Sequence, residues 1–77
     1  MTAAAQHRIT LSSPRYATRT ETLRTTTDLA RTHAATLLLA APGDSSHRAI
    51  VYRRGRSGFE LVCILRIANG RAVEVTE

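Results

Sequence analysis

The side chains in this chain best suited to chemistry with a ligand are its arginines. All 11 positions counted as Lys or Arg are arginine, and the formal net charge is +5. A guanidinium is planar and offers paired N–H donors to phosphate or carboxylate, which the lysine ammonium cannot match. A GC-rich coding sequence also enriches Arg, Ala and Thr, so the composition has a plain explanation beside the functional one. The densest cluster is Arg53-Arg54-Gly55-Arg56-Ser57-Gly58. Read as a glycine-jointed hairpin loop, it carries Arg53, Arg54 and Arg56 where they can make positioning contacts to phosphates. Arg24 and Arg31, seven residues apart, extend this basic surface if both lie on one helix, with Asp28 between them diluting it.

Other chemistry is thinly represented. His7, His33, His47 and Cys63 show none of the close spacings that build zinc sites. The serines of Ser12-Ser13 and Ser45-Ser46 sit in loop-like contexts, and Cys63 lies inside an apolar run, where a cysteine is usually an inert hydrophobe. Glu21, Asp28, Asp44, Glu60, Glu74 and Glu77 are spread along the chain without an acid–base pair. The glycines fall at turns and form no phosphate-binding fingerprint. The expectation is a protein that is not an enzyme, with no metal, no cofactor and no small-molecule substrate.

A chain of 77 residues has room for one modest core. Hydrophobic content of 43% against 22% charged places it among folded domains rather than disordered chains. A lone cysteine excludes an intrachain disulfide and fits a cytoplasmic setting. The apolar run from Ala34 to Ala41 is too short to span a bilayer, so no membrane association is expected.

These residues must be positioned by elements the sequence suggests. Residues 1–7 are small and polar and read as a flexible tail, followed by a single domain over residues 8–77. Arg8 to Leu11 alternates and reads as a short edge strand. Thr18-Arg19-Thr20-Glu21 fits a capping box, which would start a helix there. Leu23, Ala30, Ala34, Leu37, Leu38 and Ala41 then gather on one helical face, and Pro42-Gly43 ends the helix. From Arg48 onward the pattern is that of strands, Ala49 to Arg53, Phe59 to Ala68 and Arg71 to Thr76. Asn69-Gly70 supplies the preferred two-residue hairpin turn. The fold class is therefore α+β: one amphipathic helix packed on a three- to four-stranded antiparallel sheet, in the order short N-terminal strand, then α-β-β-β.

The Asn69-Gly70 turn pairs Ala68 with Arg71, Ile67 with Ala72, Arg66 with Val73, Leu65 with Glu74 and Ile64 with Val75. One face then carries Val62, Ile64, Val73 and Val75, and the other Phe59, Leu61, Cys63, Leu65 and Ile67. A single helix covers only one of them. The face of Val62, Ile64, Val73 and Val75 is the expected interface with a second copy or a partner, and a homodimer is expected.

Two functions fit these residues. The first is a small protein that acts through protein–protein contacts, for example a phage or mobile-element accessory or inhibitor such as an anti-CRISPR or other anti-defence protein. The second is a nucleic-acid-binding protein that contacts phosphates through the loop from Arg53 to Arg56. With Tyr16, Tyr52 and Phe59 as the only aromatic residues, and Phe59 expected in the core, readout by base stacking has little support in the sequence.

Overall fold

The computed structural model describes residues 4–13, 18–40 and 47–75. Five strands and one helix follow in the order β1 (Ala5–Ser12), β2 (Arg19–Thr25), α1 (Thr27–Ala40), β3 (Arg48–Gly55), β4 (Gly58–Ala68) and β5 (Arg71–Glu74). They form one antiparallel sheet in the order β2-β1-β3-β4-β5, with α1 packed across one face. The α+β class holds, with five strands where three to four were expected.

The added strand comes from the threonine-rich segment. Residues 19–25, which the capping-box pattern placed in the helix, form β2 and pair with β1 from Ala5↔Thr25 to Leu11↔Arg19. Thr20, Thr22 and Thr25 are β-branched and lose side-chain freedom in a helix but not on a pleated strand. The helix instead begins after Thr26, whose hydroxyl accepts from the Leu29 amide at 3.3 Å while its carbonyl accepts from Ala30 at 2.9 Å. Leu23, expected on the helix, packs against the core from β2.

β1 is longer and more central than expected. It starts at Ala5 and lies between β2 and β3, so residues 5–7 belong to the sheet and not to a tail. His7 is fully buried there. Its Nδ1–H donates to the Ala5 carbonyl at 2.9 Å, and its Nε2 lies 3.1 Å from the Thr27 hydroxyl, so a polar ring is tolerated because both nitrogens are partnered.

The core lies between α1 and the sheet. Ala30, Ala34 and Leu38 recur every four residues along one side of the helix and meet Ile9, Ala49, Val51, Cys63 and Leu65. Alanine at 30, 34 and 49 lets the helix backbone approach the sheet closely. The meander follows the expected register. Asn69 and Gly70 both have positive φ, 53° and 74°, as a type I′ turn requires, and the pairs run from Ala68↔Arg71 to Leu65↔Glu74. One further bond, from the Val75 amide to the Ile64 carbonyl at 2.7 Å, extends it. The expected helix stop at Pro42-Gly43 lies outside the described residues.

One irregularity changes the faces. Val51 pairs with Cys63 but Tyr52 pairs with Leu61, so Val62 is an extra residue in β4. This β-bulge puts Val62 on the helix side, where it packs against the core, and moves Leu61 and Phe59 to the opposite face. Both assignments reverse the strict alternation expected from the sequence.

Candidate functional site

Side chains that face each other across a ladder share a side of the sheet. His7, Ile9, Val51, Cys63 and Leu65 point to the helix, so their neighbours Arg8, Ile50, Tyr52 and Ile64 point away. Followed across all five strands, the register places Arg8, Arg24, Arg48, Arg54, Arg66 and Arg71 on this open face, together with Tyr52, Phe59, Leu61, Ile64 and Val73.

The carboxylates go the other way. Glu21 is opposite Ile9, Glu60 opposite Arg53 and Glu74 opposite Leu65, all on the helix side, and Asp28 lies in α1 itself. There Arg31 forms an ion pair with Glu74 at 3.7 Å, and the His33 ring lies within hydrogen-bond distance of the Glu21 carboxylate, 3.3 Å. Among the described residues the open face carries no carboxylate. Arg48 and Arg66 are directly opposite on β3 and β4, a like-charge pair that destabilises a sheet. Arg48 turns one guanidinium nitrogen to the His47 carbonyl at 2.9 Å.

Phe59 organises one end of the face. The Arg8 guanidinium carbon lies 4.1 Å from its ring centroid and that of Arg54 lies 5.9 Å away. Such contacts use the flat face of the guanidinium and leave its N–H edge to bind an anion. Beside them, a shallow hollow of about 510 Å³ is lined by Gln6, Thr22, Arg24 and Arg54, bringing guanidinium groups from the second and third strands to one place.

The expected binding residues are thus divided. Arg24 and Arg54 meet at the hollow. Arg53 points to the helix side, Arg56 stands in the two-residue turn after Gly55, and Arg31 is on the helix with Glu74. Arg24 and Arg31 do not share a helical side, because Arg24 is in β2. Of the expected apolar interface, Ile64, Val73 and Val75 are half-buried, with Ile64 and Val73 on the open face, while Val62 belongs to the core side. Arg8 and Phe59 were missed by sequence reasoning. The alternation around Ile9 and Leu11 marks Arg8 as facing away from the core, but only the position of β1 inside the sheet brings it to Phe59.

The remaining reactive groups are dispersed. Among the described residues no group of three His, Cys, Asp or Glu is placed to hold a metal ion. Cys63 is buried, and burial pushes its thiol up; nearby Arg31 draws it partly back and Glu74 opposes that. No described helix is long and apolar enough to cross a membrane. Compared with protein families, with curated proteins and with solved structures, the chain matches none.

Proposed function

We propose that this chain is a non-enzymatic binding protein whose open sheet face takes the phosphate backbone of a nucleic acid. The observation that carries the reading is the separation of charge: Arg8, Arg24, Arg54, Arg66 and Arg71 share a face that has no carboxylate among the described residues. Charged residues on a merely solvated surface are usually interspersed in sign, and a one-sign face creates a field suited to a polyanion. The same arginines oppose a second copy docking on this face, since two such surfaces would bring like charges together.

A second reading rests on a different observation. Leu61 is 59% exposed and neighbours Ile64 and Tyr52, an apolar strip of the kind that forms the centre of protein interfaces. It supports a protein partner with an acidic rim, as an accessory or inhibitor would need.

Fluorescence anisotropy with a labelled oligonucleotide, titrated over a range of sodium chloride, tests the first reading. Affinity should fall steeply with salt, and Arg54→Ala should weaken binding and reduce the logarithmic salt slope by about 1. Absence of binding at low salt, or binding that salt does not weaken, rejects it in favour of the protein partner.

A further inference from the structure

We infer that the nucleic acid is single-stranded, with its phosphates on Arg8, Arg24 and Arg54 and its bases laid on Tyr52, Leu61 and Ile64; this rests on the nucleic-acid reading above. The argument begins at the bulge. In a regular ladder through the same sequence, with no bulge, Tyr52 would face Val62 and Arg54 would face Glu60, placing a carboxylate on the arginine face and Phe59 with Leu61 on the helix side. With the bulge, Glu60 leaves the arginine face, and Phe59 and Leu61 join it. Bulges commonly re-aim side chains beside functional sites. Here one shift of register, relative to a regular ladder, both keeps Glu60 off the arginine face and adds Phe59 and Leu61 to it.

The arrangement of the two kinds of side chain selects the strand state. Neighbouring strands are about 4.8 Å apart, so Tyr52, Leu61 and Ile64 form a continuous strip next to the arginines of β1, β2 and β3. A duplex presents phosphates outward and hides the faces of its bases in the stack, so it would meet the arginines and leave the strip without a partner. A single strand exposes both groups at once, and its unstacked bases need an apolar or aromatic surface to lie on. Leu61 is 59% exposed; Leu29 and Leu39, also exposed, lie on the helix, so of these three leucines it is the one that stands on the arginine face. Phe59 stays beneath Arg8 and Arg54 and holds their guanidinium groups beside the strip.

The test compares four labelled 12-mers at one low salt concentration: oligo-dT, oligo-U, the dT·dA duplex and an abasic DNA strand with the same number of phosphates. The inference expects oligo-dT or oligo-U to bind about tenfold or more tightly than both the duplex and the abasic strand. The comparison of oligo-dT with oligo-U distinguishes DNA from RNA as the preferred strand. Tyr52→Ala should lose most of that margin while leaving abasic binding unchanged. Tyr52→Leu, which keeps the strip apolar and guards against misfolding, should lose part of it. Equal binding of all four probes overturns the inference and leaves phosphate binding standing, whereas no binding of any probe removes both.

Discussion

Cys63 has its thiol buried between β4 and the helix, where a thiolate would be desolvated. Burial is the larger influence and raises the thiol, so the unfolded chain ionises at lower pH than the native one. The stability this difference represents is fully present below the ordinary thiol range of about 8.5 and is lost as pH rises toward the folded value. Thermal unfolding followed from pH 7 to above pH 9 should show a decline in Tm that Cys63→Ala, itself less stable at pH 7, lacks. Equal pH slopes in the two proteins would refute it. Slow alkylation of the native thiol at neutral pH is the companion result. His7 is the other residue whose burial depends on its partners. His7→Ala leaves the Thr27 hydroxyl without its nitrogen and opens space between β1 and α1, so it should cost about 2–4 kcal/mol in urea unfolding. A loss below about 1 kcal/mol would mean the clasp contributes little.

The two hairpins differ in how local their causes are. In β4–β5 the turn residues alone demand the geometry. Gly70 sits at φ 74°, and Gly70→Ala should destabilise by about 1–2 kcal/mol through the left-handed backbone, with Asn69→Val, at φ 53°, acting in the same direction. Chemical denaturation of both variants checks this, and unchanged midpoints would show that the turn does not set the register. That hairpin was legible in the sequence because Asn69-Gly70 lies between two β-rich runs. The β1–β2 hairpin was not. Thr18, Thr20 and Glu21 satisfy a helix-capping pattern as well as a strand pattern, and only pairing with β1, seven residues or more away in sequence, decides between them. The helix itself was legible from Ala30 onward, where its apolar spacing is governed by packing on the sheet. Of the candidate site, Arg24 and Arg54 were legible as basic positions but not as neighbours, since their meeting depends on β1 lying between β2 and β3. Phe59 and Leu61 were assigned to the wrong face for a different reason. Alternation carries no sign of a one-residue bulge, and after Val62 every side chain toward Gly58 changes sides.

On the scale of the whole molecule the charges of the described residues are sorted, with the carboxylates on the helix side and a concentration of guanidinium groups across the open face. Sorting of this kind has a thermodynamic signature of its own, independent of any ligand. Attraction in Arg31–Glu74 stabilises the fold and is weakened by salt, but the pair is substantially exposed and such pairs contribute little. Repulsion among Arg8, Arg24, Arg54, Arg66 and Arg71, reinforced by Arg48 opposite Arg66, destabilises the folded state relative to the extended chain, where these residues move apart. Screening reduces both, and at 0.1 M salt the Debye length of about 10 Å is comparable to the spacing of arginines two strands apart. Because the repulsive set is larger and concentrated on one face, its relief should dominate. Raising sodium chloride from low to moderate concentration should therefore raise Tm by roughly 2–4 °C, the shift that about half a kcal/mol produces in a domain of this size. Arg66→Gln removes one partner of the directly opposed pair, so it should start from a higher Tm at low salt and gain less from added salt. A Tm that falls as salt is added, in the wild-type chain, would mean that helix-side attraction such as that of Arg31 and Glu74 outweighs the arginine face and that its guanidinium groups are held apart enough not to interact.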